Sequence, residues 1–175
     1  MICDLSQILK DYGGTMPVNG VCKLDDTEFL GEDLSFPDGL FIDGKITNNT
    51  KSLHFTAKVT GKLQAHCARC RVTVYEDVEF DISEILVRDE DANSTDEDII
   101  VFSGHEVDLG DIVIDNFFLN ASGKYLCKED CKGLCPKCGQ DLNIKECDCS
   151  DDEIDPRWEA LAQIIKNSES ESAYQ

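Results

Sequence analysis

The stretch Val72-Thr-Val-Tyr-Glu-Asp-Val-Glu-Phe-Asp-Ile82 alternates apolar and polar residues, and Leu53-His-Phe-Thr-Ala-Lys-Val-Thr-Gly-Lys-Leu63 does the same. A period of two places one face of a segment on a core and the other in solvent, which is typical of antiparallel strands. Gly39–Thr47 also alternates, Asn48-Asn49 supplies a turn after it, and Val21–Phe29 is a weaker strand. These patterns predict an antiparallel β meander or small barrel, with Cys67 and Cys70 in the tight connection between its last two strands.

Apolar residues at helical spacing lie on both sides of this β region. The first set precedes Tyr12-Gly13-Gly14 and predicts a short amphipathic helix; its members are Ile2, Leu5, Ile8 and Leu9. The second set follows Asp108, a candidate N-cap; its members are Leu109, Ile112, Val113, Phe117 and Phe118. Asp155–Asn167 predicts a terminal helix, because Asp155 can cap it and Pro156 suits its first position.

The length and apolar content suit one integrated domain. The chain has 175 residues, 41% of them hydrophobic, and no apolar run long enough to span a membrane. Its first ten residues lack the basic and apolar regions of a secretory signal, so we expect a cytoplasmic protein. We predict an α+β fold in four parts: a β-rich region with a short N-terminal helix (1–88), an acidic loop (89–105), a segment with a helix, a Cys-rich zinc-binding part and the terminal helix (106–167), and a frayed tail (168–175).

Ten cysteines dominate the chemistry, and six of them fall between Cys127 and Cys149. In a reducing compartment, clustered thiols bind metal more often than they form disulfides. Cys135-Pro-Lys-Cys138-Gly139 is typical of a zinc knuckle, because two thiolates separated by two residues can hold one tetrahedral ion and Gly139 accepts a positive φ. Two groups of ligands follow: Cys135, Cys138, Cys147 and Cys149, and, as a second site, Cys67, Cys70, Cys127 and Cys131. One or two zinc ions, and other groupings of these ligands, remain open from the sequence.

The remaining candidates have simpler interpretations. Cys3 and Cys22 are isolated and are expected to be small core residues. His66 abuts Cys67 and is a candidate ligand, but a lone histidine in a strand is expected to be structural. The spacings of iron–sulfur sites are absent, as are the common hydrolase, phosphate-binding and metalloprotease motifs, so we expect zinc and no enzyme. A four-cysteine zinc site has no open position for catalysis. The alternative is a thiol-redox or metal-responsive regulator, since Cys67-Ala-Arg-Cys70 has redox spacing and Arg69 can lower a thiol pKa.

Four motifs together resemble the bacterial YceD family, whose members are described as large ribosomal RNA subunit accumulation proteins. They are His66-Cys-Ala-Arg-Cys70, Leu126-Cys-Lys-Glu-Asp-Cys-Lys-Gly-Leu-Cys-Pro-Lys-Cys-Gly139, Cys147-Asp-Cys149 and Ile154-Asp-Pro-Arg157. The resemblance covers most of the chain. It implies a factor that supports synthesis, processing or stability of 23S ribosomal RNA during ribosome assembly.

The charge distribution restricts the partners. The net charge of −20 repels phosphate and argues against unspecific binding of nucleic acid or anionic membranes. Direct contact with ribosomal RNA would therefore use the basic residues near the cysteines, which are Lys62, Arg69, Arg71, Lys128, Lys132 and Lys137. The alternatives are that these cations only solubilise the protein, or that its acidic segments bind a basic ribosomal or assembly protein. We expect no small-molecule substrate.

Overall fold

The computed structural model describes residues 1–24, 26–91 and 99–149. It divides into two compact units, Met1–Cys131 and Lys132–Gln175. The first unit contains the regular elements of the described residues: β1 (Ile2–Asp4), a 3-10 helix (Ile8–Lys10), β2 (Thr15–Cys22), β3 (Thr27–Phe29), β4 (Glu32–Leu34), β5 (Leu40–Asn48), β6 (Leu53–His66), β7 (Thr73–Arg88), β8 (Ile100–Phe102), β9 (Glu106–Asp108) and α1 (Leu109–Asn120). The described residues are thus mostly β with one α-helix, which is compatible with the predicted α+β class.

A five-stranded sheet forms the body of the first unit, in the order β2-β5-β6-β7-β8. The first four strands are antiparallel neighbours, and β8 runs parallel to β7. The longest pairing joins β6 and β7, from Leu53 opposite Leu86 to His66 opposite Thr73. Within the described residues β2 and β8 are the two edges, so the sheet is an open meander rather than a barrel. Two small antiparallel pairs, β1-β9 and β3-β4, accompany it.

The alternating residues of the central strands bury one face of the sheet. Phe55, Val59 and Ile82 are almost fully buried, as the period of two predicts. Helix α1 packs on this side through Phe117, whose ring lies 5.0 Å from that of Phe36 in an edge-on arrangement. The prediction of α1 and its cap is confirmed, because the Asp108 side chain accepts a 2.8 Å hydrogen bond from the backbone N–H of Gly110.

The predicted N-terminal amphipathic helix is wrong. Residues 2–4 form β1, which pairs with β9 more than a hundred residues away, and only the 3-10 turn at residues 8–10 is helical. The Asp4 carboxylate accepts a hydrogen bond from the backbone N–H of Ser6, which turns the chain after the strand. As a result Leu5 and Ile8 are buried, whereas Ile2 is 68% exposed.

The acidic loop predicted over 89–105 contains a strand, because Ile100–Phe102 pairs with the end of β7 as β8. Phe102 is buried there. Residues 92–98 of that loop, the predicted terminal helix at 155–167 and the predicted tail at 168–175 lie outside the described residues. In the described part of the chain, no helix has both the length and the apolar character needed to cross a membrane.

Candidate metal centres

The first pair of cysteines lies in the connection from β6 to β7. This connection is tight: the backbone N–H of Cys67 donates to the Val72 carbonyl at 2.8 Å, and that of Arg71 donates to the Cys67 carbonyl at 2.9 Å. Arg71 adopts a φ of 61°, a left-handed conformation that reverses the chain within the turn. The turn also holds the incoming segment, because the N–H of Ala68 donates to the Tyr125 carbonyl at 2.8 Å. The sequence between Tyr125 and Cys131 is thereby anchored beside Cys67 and Cys70.

Four sulfurs meet at this turn and form the first cluster, made of Cys67, Cys70, Cys127 and Cys131. All four Sγ atoms lie within 4.8 Å of one another. The Sγ atoms of Cys67 and Cys131 are 3.8 Å apart, and those of Cys70 and Cys127 are 3.6 Å apart. A tetrahedral zinc ion with Zn–S bonds of about 2.3 Å places its sulfurs ~3.8 Å apart. The first cluster therefore fits a four-coordinate metal ion of zinc's size.

Backbone N–H groups favour the thiolate form of one cysteine in the first cluster. Burial acts to raise the pKa of Cys67, but hydrogen bonds from the backbone N–H groups of Cys70, Cys127 and Arg69 outweigh it and lower that pKa to about 6. Burial and the neighbouring thiols instead raise the pKa of Cys127 to about 12. Four sulfurs this close cannot all be anionic without a cation among them, so the metal-free cluster holds protons that a metal ion displaces.

The surroundings of the first cluster are largely apolar and braced by one arginine. Cys67, Cys70 and Cys131 are buried, and Val74 and Leu126 pack against them. Arg69 directs Nη1 to the carbonyl oxygens of Cys131, at 2.7 Å, and Glu129, at 3.4 Å. Arg69 lies between Cys67 and Cys70 in the chain, and its guanidinium thus holds the backbone of Cys131, a third member of the cluster.

The second cluster lies in the second unit and consists of Cys135, Cys138, Cys147 and Cys149. Its four Sγ atoms also lie within 4.8 Å of one another. The knuckle is closed by the N–H of Gly139, which donates to the Cys135 carbonyl at 2.9 Å, and Gly139 has the expected positive φ, 72°. Each of the two clusters can therefore hold one metal ion.

The electrostatics of the second cluster repeat those of the first. Hydrogen bonds from the backbone N–H groups of Cys138 and Lys137 lower the pKa of Cys135 to about 6. The neighbouring Cys138 side chain, together with burial, raises the pKa of Cys149 to about 12. The chain between the cysteine pairs is held by Asn143, whose Oδ1 accepts from the N–H of Lys132 at 2.9 Å and whose N–H donates to Asp141.

The other cysteines and the candidate histidine lie outside both clusters. Cys22 is fully buried in the main core, as predicted, and Cys3 is half-buried and packs against that core. His66 is not a member of either group of possible ligands. Its Nδ1 is buried and has no hydrogen-bond partner among the described residues.

The six predicted RNA-binding cations have different surroundings. Arg69 braces the first cluster. Arg71 forms an ion pair in which its Nη1 lies 2.8 and 2.6 Å from the two carboxylate oxygens of Glu32. Lys62, Lys128 and Lys132 are about half exposed and lie 3.7–4.0 Å from single carboxylates, and Lys137 is exposed. Sequence reasoning missed the roles of Arg69 and Arg71. The placement of an arginine inside Cys-x-x-Cys was the available signal for the first, and none pointed to the second.

The chain is similar to known proteins over most of its length. The family model described as "Large ribosomal RNA subunit accumulation protein YceD" matches residues 55–165, more than half of the chain. An uncharacterized protein of Mycobacterium tuberculosis is 30% identical over 129 residues, covering 72% of this chain and 62% of the relative. The uncharacterized protein YlbN of Bacillus subtilis is 22% identical over 148 residues, covering 84% and 86%.

A shorter match reaches a plant protein. The chloroplastic YCED homolog 1 of Arabidopsis thaliana, named a large ribosomal RNA subunit accumulation protein, is 34% identical over 59 residues, which cover 34% of this chain and 18% of that protein. This chain spans about 62% of the length of the mycobacterial relative. No solved structure matches this chain. The family match includes Cys67, Cys70 and all the cysteines from 127 to 149, and the chain belongs to the YceD family of large ribosomal RNA subunit accumulation proteins.

Proposed function

We propose that this protein is a non-enzymatic zinc-binding factor that supports the synthesis, processing or stability of 23S ribosomal RNA during assembly of the large ribosomal subunit. The observation that carries the proposal is the family match over residues 55–165, which spans both cysteine clusters. The zinc-binding part of the proposal rests on the clusters themselves.

Zinc is the metal that the donor set favours. Among residues 1–24, 26–91 and 99–149, each cluster offers four sulfurs and no oxygen or nitrogen ligand, and the sulfur separations in the first match a tetrahedral ion. An ion bound by four cysteines has no vacant position for water or substrate, so its contribution is to stability and shape. In the first cluster, such an ion ties the β6–β7 turn to the segment that ends at Cys131. This is the physical basis for proposing a binding factor rather than an enzyme.

Two classes of partner fit this role. Ribosomal RNA would be contacted by exposed cations, and the exposed candidates are Lys62, Lys128, Lys132 and Lys137. A basic ribosomal or assembly protein would instead bind carboxylates, and residues 72–120 hold fifteen of these against one arginine. Arg69 and Arg71 are bound within the protein, which favours the second class for the surface around the first cluster.

Depletion in cells tests the proposal. We expect loss of the protein to reduce mature large-subunit RNA relative to small-subunit RNA, with precursor and mature species measured by quantitative hybridisation. Expression of the intact chain should restore the ratio, and a chain with Cys70→Ser and Cys138→Ser should not. Large-subunit RNA that stays unchanged after depletion would refute the proposed function.

A thiol-redox or metal-responsive regulator is the second candidate, and the lowered pKa of Cys67, about 6, favours it. Against it, Cys67 has no exposed surface, so an oxidant in solution does not reach its sulfur. Metal analysis and thiol titration of purified protein separate the two. Stoichiometric zinc with the eight clustered cysteines unreactive supports the first candidate, and metal-free protein with reversible disulfides supports the second.

A further inference from the structure

A cavity of about 120 Å³ opens between the end of α1 and the middle of β7. Its floor is apolar and aromatic, formed by Leu63, Val78, Phe80, Phe117 and Tyr125. Its mouth is polar and acidic, formed by Glu76, Asp77, Glu79, Asn120, Ala121 and Ser122. An apolar interior with a few polar groups at one side is the ordinary form of a binding site.

The floor of the cavity is part of the packed core. Phe117 is 2% exposed, and its ring lies 5.0 Å from that of Phe36 and 6.3 Å from that of Phe80. These aromatic contacts hold the walls in place without a ligand. The cavity is therefore preformed, and an occupant does not have to reorganise the core.

Glu76 distinguishes the mouth from an ordinary acidic surface. In the sheet it lies opposite the buried Leu63, so it stands on the same face of β7 as Phe80, and at this end of the strand that face is exposed. Asp77 and Glu79 have Lys62 and Lys58 within 4.0 and 2.7 Å, whereas Glu76 has no cation within ion-pair distance in the described part of the chain.

The end of α1 adds negative potential of its own. The helix ends at Asn120 beside the mouth, and its last turn contains no basic residue to offset the partial negative charge of the final carbonyl groups. Leu119, which precedes Asn120 in the chain, is 82% exposed. The site thus combines a carboxylate, a helix C-terminus and apolar surface at one place.

From this arrangement we infer that the cavity binds a lysine or arginine side chain of a basic protein segment. Such a side chain has an aliphatic stem for the apolar floor and a cationic head for Glu76 and the helix C-terminus. Phe117 and Tyr125 line the apolar floor that the aliphatic stem would contact. A phosphate group would meet the carboxylate and the helix end with the same sign of charge, which disfavours RNA here. The inference rests on the proposed function and assigns its basic protein partner to a specific surface.

The test uses the zinc-loaded full chain and two probes, hexalysine and hexalysine acetylated at every Nζ. Titration is followed by the NMR signals of Phe117, Ala121 and Tyr125, and affinity is measured by calorimetry. We expect hexalysine to shift these three signals and the acetylated peptide to leave them unchanged. Glu76→Gln should weaken hexalysine binding about two- to fivefold, the range of a partly exposed ion pair. Ala121→Leu, which fills the mouth, should weaken it independently.

Glu106→Gln is the matched control, since it removes the same charge from an exposed position on β9. Equal losses for Glu76→Gln and Glu106→Gln, or shifts spread over the whole acidic surface, would overturn the inference in favour of unspecific attraction. A uridine dodecamer that shifts the same three signals would also overturn it. Ribosomal RNA levels after depletion report on the proposed function separately, because the peptide binding is measured on purified protein.

Discussion

The Arg69 guanidinium donates a 2.7 Å hydrogen bond to the carbonyl oxygen of Cys131, joining the middle of one cysteine pair to the backbone of the other. Arg69 stands between Cys67 and Cys70 in the chain, and its Nη1 also lies 3.4 Å from the Glu129 carbonyl. Hydrogen bonds outside the ligand shell orient the groups that bind a metal ion. Arg69 is therefore a positioning residue of the first cluster, although its sequence context also suggested contact with RNA.

Replacing Arg69 should weaken metal binding at the first cluster. We expect Arg69→Ala to lower its zinc affinity at least about tenfold, the usual effect of losing an outer hydrogen bond. Arg69→Lys should recover only part of this, because a lysine is shorter and lacks the planar guanidinium that directs Nη1 at the Cys131 carbonyl. Competition with a chromogenic chelator measures the affinity. Arg71→Ala, which removes an equal charge from the same turn, is the control, and equal losses in the two variants would contradict the positioning role.

The grouping of the cysteines predicts the stoichiometry of metal binding. We expect two zinc ions per chain, reduced to one by Cys70→Ser and to one by Cys138→Ser, because a serine hydroxyl is a poor zinc ligand. The double variant should hold none. Cys3→Ser, which lies outside both clusters, should keep two. Elemental mass spectrometry of purified proteins gives the counts, and a single variant that retains two ions would show that the ligands are grouped differently.

Metal affinity should rise with pH between about 6 and 8. The pKa of Cys67 and of Cys135 is lowered to about 6, so both are thiolates at pH 7, whereas that of Cys127 and of Cys149 is raised to about 12 and both carry protons. Zinc binds thiolates and expels those protons, so each proton released makes binding about tenfold tighter per pH unit. Calorimetry in buffers of different ionisation enthalpy counts the protons. Zinc binding without proton release would contradict this assignment of charge.

Asn48 should contribute measurably to stability. Its buried side chain donates a 2.7 Å hydrogen bond from Nδ2 to the Ile8 carbonyl and accepts one of 2.9 Å from the Thr50 N–H. Asn48→Ala leaves these groups without partners, so we expect the free energy of unfolding to fall by about 1–3 kcal/mol. Asn49→Ala, at the exposed neighbouring position, should change it by less than about 0.5 kcal/mol. Urea denaturation of both variants with zinc present tests the difference.

Local patterns predicted the elements that local physics determines. The alternation around Phe80 and Ile82 identifies a half-buried strand wherever that strand pairs, and Asp108 caps α1 through a group only two residues away. The same reasoning gave a wrong prediction, a helix, for the N-terminal segment. Its apolar spacing suits a helix, but the backbone of Ile2–Asp4 pairs with Glu106–Asp108, and no pattern within the first ten residues reveals a partner so distant.

The same division applies to the metal centres. Two cysteines separated by two residues can bind the same metal ion, as in Cys67–Cys70 and Cys135–Cys138. This spacing is why the two four-sulfur groups could be proposed from the sequence. The partners of Arg69 and Arg71 could not be, because the Cys131 carbonyl and the Glu32 carboxylate reach them from segments about 60 and 40 residues away. The sequence does not show which charged side chains bind other groups of the protein, because that depends on the fold.

The two clusters differ in how much chain their ligands enclose, and this sets the order in which they can capture metal. The second cluster spans only residues 135 to 149, so its ligands can meet as soon as that short segment turns. The first joins Cys67 to Cys131, so bringing its ligands together closes a much longer loop. An ion in the second cluster therefore needs only local folding, whereas an ion in the first needs contacts between distant parts of the chain.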